Sequence, residues 1–244
     1  MIGADGIFST VRAQLFDEER PRYAGLTAWR AVARFEHELL PPGASLDLWG
    51  RDAEFGLLPL GRRRVYWFGT KSAPEGESDE PIGRKRELLE RFQDWQEPVK
   101  AAIGATEEAE ILRNDIYDRE PSKRWGAGRV TLLGDAAHPM TPHLGQGACQ
   151  AIEDAVVLAD SLSKEKDVAS APSLYESMRI PRTNRVVRQS RRIGRLIRLE
   201  SPFLCRLRDE TIKRTHVCSR NSSIGSWDTR RSGCLLAVFW ASRC

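Results

Sequence analysis

Residues 128–162 read GRVTLLGDAAHPMTPHLGQGACQAIEDAVVLADSL, and the change of pattern inside this stretch decides the fold. Arg129-Val130-Thr131-Leu132-Leu133 is a short, β-rich apolar run of the kind buried on both faces of a parallel sheet. It stops at Gly134-Asp135. A loop with Pro139, Pro142, Gly145 and Gly147 follows and opens a helix from about Gln146 to Ser163, marked by Ala148, Ile152, Ala155, Val156, Leu158 and Ala159. Strand, loop and helix in this order form a nucleotide site at the carboxyl edge of a sheet. Asp135, just past the strand, can accept hydrogen bonds from ribose hydroxyls. Glycines at the helix start let backbone N–H groups approach a pyrophosphate, where the helix dipole favours the anion. Either element alone reads as a turn with an Asx cap. The two in tandem point to a nucleotide.

Outward from this stretch, residues 1–16 read as a strand end, a tight turn at Gly3-Ala4-Asp5-Gly6 and a short helix from Ser9 to Phe16 with Ser9 as N-cap. Strand-like segments follow at 27–35, 45–49, 54–60 and 64–70, separated by short turns, which predicts an antiparallel sheet. Residues 71–81 are a loop rich in Pro, Gly, Ser and acids. Leu88, Leu89, Phe92, Trp95, Val99 and Ile103 recur at helical spacing and predict one amphipathic helix over 84–103, bent at Pro98. A strand is expected over 109–117 and a loop over 120–128. A second long helix is expected over 171–199, interrupted near Pro181.

At GRVTLLGDAAHPMTPHLGQGACQAIEDAVVLADSL the chain resembles the second flavin motif of the FAD-dependent aromatic-ring monooxygenases, in the para-hydroxybenzoate hydroxylase-like family with its urate hydroxylase and zeaxanthin epoxidase branch. GADGIFSTVR, residues 3–12, resembles the Asp-Gly motif of the same family, and ILRNDIYDR, residues 111–119, resembles that branch. The likeness covers about residues 1–200. It implies an α/β (α+β) fold, an incomplete FAD-binding Rossmann-type domain with an inserted antiparallel-sheet substrate domain. The expected division is 1–22 with 119–165 for the flavin part, 23–118 for the substrate domain, 166–218 for C-terminal helices and 219–244 for an irregular tail.

The resemblance implies that Asp135 hydrogen-bonds the FAD ribitol or ribose. It implies that Gly145, Gln146, Gly147, Ala148 and Cys149 approach the pyrophosphate and flavin ring through their backbone. Asp5 matches the acid of the Asp-Gly motif, and Arg12 closes it. NAD(P)H is the implied electron donor, and one oxygen atom of O2 is passed to an aromatic or other apolar ring substrate. The cofactor carries the hard chemistry and the protein positions and shields it, so no side chain is named as catalytic. Tyr66 and Trp29 lie on the expected sheet as substrate-contact candidates beside an ordinary packing role, as does Trp67, and the hydroxyl makes Tyr66 the better one. Near Glu54, where the urate branch places a substrate arginine, this chain has an acid, which counts against urate. His138 and His143, flanked by prolines and without a matching acid cluster, read as structural residues rather than metal ligands.

The family's first βαβ unit, with GxGxxG at its opening turn, has no counterpart among these residues. The expectation is therefore an N-terminally truncated representative that holds FAD weakly or not at all by itself. The alternative is a catalytically silent fragment, or a binding module with a basic C-terminal helix. Beyond about Cys218 the resemblance ends in a Ser-, Arg- and Cys-rich stretch that reads as an altered end.

Composition bounds the rest. The chain has 244 residues, 41% hydrophobic and 30% charged, ordinary values for a folded protein. The longest apolar run, Cys234 to Ala241, is too short to span a bilayer, and the start lacks a secretory signal pattern. A soluble, cytoplasmic protein is expected, with an organellar location left open. Five cysteines without a CxxC pair suggest free thiols in a reducing compartment. From Arg182 onward there are 15 Lys and Arg against 4 Asp and Glu; the remainder has 23 against 30. Arg182, Arg185, Arg188, Arg192, Arg195 and Arg198 share a helical face, which reads as solvated. Small-molecule substrate and O2 are the expected partners; no nucleic acid is expected, and a weak membrane-surface contact stays open.

Overall fold

The structure, a computed structural model, describes residues 1–16, 20–40, 43–77, 83–165, 167, 170–214 and 236–241. Contacts divide the chain into two units, Met1–Ala24 with Ile116–Arg195, and Gly25–Asp115 with Leu196–Cys244. Helices and strands are mixed, as the α/β (α+β) reading requires.

The second unit is built on a six-stranded sheet. Its strands are β2 (Arg22–Arg34), β3 (Ala44–Trp49), β4 (Ala53–Gly61), β5 (Arg64–Ser72), β6 (Leu112–Asp118) and β8 (Leu236–Ala241), in the order β6-β2-β5-β4-β3-β8. The β2–β5, β5–β4, β4–β3 and β3–β8 pairs are antiparallel. Alternation drives the layering: Trp29, Ala31, Ala33, Leu46, Leu48, Phe55, Leu57, Val65 and Trp67 point to one face and are buried. That face is covered by α2 (Arg84–Arg91) and α3 (Val99–Gly104) through Leu88, Val99, Ala102 and Ile103. Phe55 stacks on Trp67 at 5.4 Å and meets Phe92 edge-on at 5.1 Å. Each such ring contributes roughly 2–3 kcal/mol through burial. The Trp67 indole N–H is satisfied by Thr106 Oγ1 at 2.8 Å.

The single bent helix expected over 84–103 is two helices. Pro98 has no N–H to continue a ladder, and it disfavours the helical conformation at Glu97. The chain turns between α2 and α3, which lets both Phe92 and Trp95 reach the core. The tail expected to be irregular contains β8, which pairs with the edge of β3 from Ala44↔Ala241 to Trp49↔Leu236. The rest of 219–244 lies outside the described residues.

In the first unit, β1 (Ile2–Gly3) pairs in parallel with β7 (Thr131–Leu132). Around them lie α1 (Thr10–Phe16), α4 (Gly147–Lys164) and most of α5 (Ala171–Ile197). Trp125, Leu132, Ala136, Ala137, Leu158 and Tyr175 form its core. Ser9 caps α1 as its sequence suggests, its Oγ accepting the Arg12 N–H at 2.9 Å.

Pro181 does not interrupt α5. Pro181 and Ser177, whose carbonyl loses its partner, are both exposed, so water can satisfy that carbonyl. Packing of Tyr175, Arg179, Thr183, Val187 and Ser190 carries the helix past the proline. α5 belongs to the first unit as far as Arg195, and α6 (Pro202–Arg214) to the second. Arg182, Arg185, Arg188, Arg192 and Arg195 are exposed. Arg182 is paired with Glu153 at 2.6 Å, and the half-buried Arg191 with Asp118 and Glu120 at 2.9 and 2.7 Å. Among the described residues no helix is long and apolar enough to cross a membrane. Cys149 and Cys205 are free thiols.

Candidate functional site

Parallel pairing of Ile2 with Thr131 and of Gly3 with Leu132 sends Asp5-Gly6 and Gly134-Asp135 out at the same carboxyl edge. A Cβ at Gly3 would lie 2.7 Å from Leu132 Cδ2 and 2.9 Å from Val11, so the missing side chain is what lets α1 and β7 close on β1.

The two turns are then tied together. Arg12 Nη1 donates to the carbonyls of Ala136 and Ala137 at 3.1 and 3.2 Å. Asp5 accepts hydrogen bonds from Ser9 Oγ at 2.5 Å, from the Thr10 N–H at 2.8 Å and from the Val11 N–H at 3.3 Å. The Ser9 bond, with help from Val11 and Thr10, holds the carboxyl down to about 2 against a slight desolvation cost. Both residues were expected at the cofactor. The structure shows the Asp5 carboxylate bonded to the N-terminus of α1 and the Arg12 guanidinium buried as a staple between the two turns.

Asp135 differs. It sits in a short 3-10 turn, Gly134–Ala136, directly after β7, is exposed, and makes no hydrogen bond with the described residues. Gly134 takes φ +62°, and a Cβ there would press on Ala151 at 3.2 Å, which keeps this turn tight against α4. At the start of α4, Gly145 is left-handed at φ +61° and Gln146 makes no side-chain cap bond. The first-turn N–H groups of Gly147, Ala148 and Cys149 have no carbonyl within the helix to bond. Side chains added at Gly6 or Gly145 would meet nothing within 4 Å. This edge therefore combines open space in front of glycines, unspent N–H donors and one unspent carboxylate. That donor and acceptor set fits a pyrophosphate joined to a hydroxyl-bearing chain.

A buried ionic network that sequence reasoning missed fixes the edge from behind. Asp154, on α4, accepts the Gly134 N–H at 3.0 Å, contacts His138 Nε2 at 2.6 Å and pairs with Arg179 Nε of α5 at 2.6 Å. Burial pushes its carboxyl up, but the bonds from His138, Arg179 and Gly134 outweigh burial and leave it below the usual range. An ionised Asp154 can only accept, so His138 Nε2 carries the proton. Arg179 also binds Glu153 and both oxygens of Gln150. His138 is thus a structural anchor, and the ring of His143 packs where a Gly194 side chain would otherwise sit. Among the described residues no cluster of three metal-ligating side chains occurs.

On the sheet, Trp29 has no exposed surface, and Lys71 and Arg113 lie over its ring. It serves packing and leaves no area for a ligand; Trp67 is buried likewise. Tyr66 is half-buried on the opposite face and lines a cleft there. Glu54 is 1% exposed on β4, and burial pushes its carboxyl up to about 8 against a hydrogen bond with Asp47, so it is largely protonated at neutral pH.

Comparison with known proteins agrees with this geometry. Residues 1–190 match the family described as FAD binding domain. The chain is 46% identical over 213 residues to the aurachin C monooxygenase/isomerase of Stigmatella aurantiaca, covering 87% of this chain and 55% of that protein. It is 41% identical over 189 residues to the chloroplastic zeaxanthin epoxidase of an Oncidium hybrid, covering 73% of this chain and 29% of that one. The structure of Klebsiella pneumoniae HpxO with FAD and uric acid matches with a TM-score of 0.80 at 32% identity, over 88% of this chain and 57% of that one. The chain thus spans little more than half the length of the first of these relatives and less than a third of the second.

Proposed function

Because the chain belongs to the FAD-binding-domain family, we propose that it supplies the carboxyl-edge flavin contacts and the substrate-selecting sheet of an FAD-dependent monooxygenase. The reductant is NAD(P)H, and one atom of O2 enters an aromatic or other apolar ring compound. The flavin, when bound, supplies the redox and oxygen chemistry. This chain's residues bind and orient it. Asp135 accepts hydrogen bonds from its ribitol or ribose hydroxyls, and the N–H groups of Gly147, Ala148 and Cys149 meet the pyrophosphate and ring. Gly145 and Gln146 keep that approach open.

One observation carries this reading. Two parallel strands deliver the Asp5-Gly6 and Gly134-Asp135 turns to one edge, where Asp135 alone of the two acids keeps its carboxylate available among the described residues. Quenching of FAD fluorescence on titration with the chain, alone and fused behind a βαβ unit carrying GxGxxG, tests it. The fusion is expected to bind FAD, with affinity about tenfold weaker in Asp135→Ala, the size of one lost charge-assisted hydrogen bond. Equal affinity of the variant would remove Asp135 from the site.

A further inference from the structure

We propose that Arg34 and Arg64, with the Tyr66 hydroxyl beside them, form an anion clamp that selects a substrate with an apolar body and one carboxylate or phenolate oxygen. The proposal rests on the reading of the sheet as the substrate-selecting surface and gives that substrate its chemical class.

The register of β2 and β5 sets Arg34 directly opposite Arg64 and Val32 opposite Tyr66. Ala33 and Val65, between them, point into the core, so the two arginines, Val32 and Tyr66 share the outer face. Like charges directly opposite on neighbouring strands repel. Several other arginines are neutralised by acids: Arg22 and Arg191 by Asp118, Arg113 by Glu77, Arg179 by Asp154. Neither Arg34 nor Arg64 has an ion pair among the described residues. The fold tolerates an uncompensated cationic pair at this one cross-strand position.

The pair borders a cleft of about 940 Å³, a volume suited to a small organic ligand. Val32, Ala105 and Leu112 supply apolar wall, and Tyr66 adds a hydroxyl that has no hydrogen-bond partner among the described residues. Burial raises the phenol's pKa and Arg30 pulls it down less, so at neutral pH the hydroxyl stays protonated and can donate. Glu107 and Glu110 line the facing wall beyond ion-pair distance of both arginines. A negative head is thereby driven toward the sheet, where two guanidinium groups and a phenol can hold it by charge-assisted hydrogen bonds.

Calorimetric titration with 2-naphthoate and with its neutral counterpart 2-naphthamide, without flavin or reductant, tests the clamp. Naphthoate is expected to bind about tenfold tighter than the amide, and Arg34→Gln and Arg64→Gln each to lose most of that preference while amide binding stays unchanged. Arg64→Lys should retain part of it, and raised salt should weaken naphthoate only. Equal binding of the two probes, no binding of either, or equal loss of both in the variants overturns the proposal. FAD binding measured on the same samples separates the two readings. A failed clamp leaves the Asp135 dependence intact, whereas a failed flavin reading abolishes that dependence and leaves naphthoate selectivity in place.

Discussion

Around Gly134 the unit containing β1 and β7 buries charge, whereas around Phe55 the unit containing the six-stranded sheet buries rings. Asp154 and Arg179 are sealed from solvent and satisfy each other, a histidine and a backbone N–H. Phe55, Trp67, Phe92 and Trp95 are held chiefly by shape, with the Trp67 N–H bonded to Thr106. The difference follows from what each unit must hold. A two-residue strand pair offers little apolar area, so directional bonds place its turns. A broad sheet offers ample area, and close packing suffices.

The contrast breaks most easily at Asp154. Asp154→Ala leaves Arg179 buried without its main partner and should cost roughly 3–5 kcal/mol of stability in urea unfolding. A loss below about 1 kcal/mol would mean that the network does not hold the unit.

Glu54 is the sheet unit's exception, a buried acid with its carboxyl raised from 4.5 to about 8. Its protonated form is favoured on folding, so its contribution is complete below pH 4.5 and is lost as pH rises toward 8. About 3 kcal/mol should disappear between pH 5 and 7.5. Thermal melts across that range should show the slope in the wild type and lose it in Glu54→Gln. Asp154 works in the opposite sense, its lowered carboxyl withdrawing stability as the pH falls.

The smallest effect is expected at Asp5. Removing its bonds to α1 by Asp5→Ala should cost about 1 kcal/mol, in the range of a lost helix cap. Its pH-dependent part is present above 3.8 and fades toward 2, reduced by the exposure of the carboxylate. Unchanged stability of the variant at pH 7 would show that Ser9 alone caps the helix.

The strands over 27–35 and 64–70 were legible because alternation survives in them, as the burial of Trp29, Ala31, Ala33, Val65 and Trp67 illustrates. The candidate edge was legible because its glycines and Asp135 lie within one continuous stretch. Breaks in helices were not. Pro98 stands just before the start of α3, whereas Pro181 lies inside α5, and neighbouring packing decides which of these a proline does. Asp154 and Arg179 were missed because Asp154 lies 20 residues from its partner Gly134 and 25 from its partner Arg179. A signal was present: Gln150, Asp154, Leu158 and Ser161 recur at helical spacing on the buried side of α4, and an acid in such a stripe demands a cation. Arg12 could not be read as a staple from its spacing, since the carbonyls it binds lie more than 120 residues away.

The pairing of β1 with β7 also constrains the order in which the molecule forms. The Met1 ammonium donates to the Arg129 carbonyl at 2.7 Å across 128 residues of chain. Closing so long a loop from an extended chain is slow. β2 and β6 are neighbours in the sheet, and Arg22 and Asp118 bridge their ends at 3.0 Å. Once the sheet forms it cinches this neck and shortens the remaining loop about fourfold, lowering the entropic barrier by about 1 kcal/mol. Closing that neck therefore precedes the pairing of β1 with β7, which cannot register until residue 131 has been synthesised.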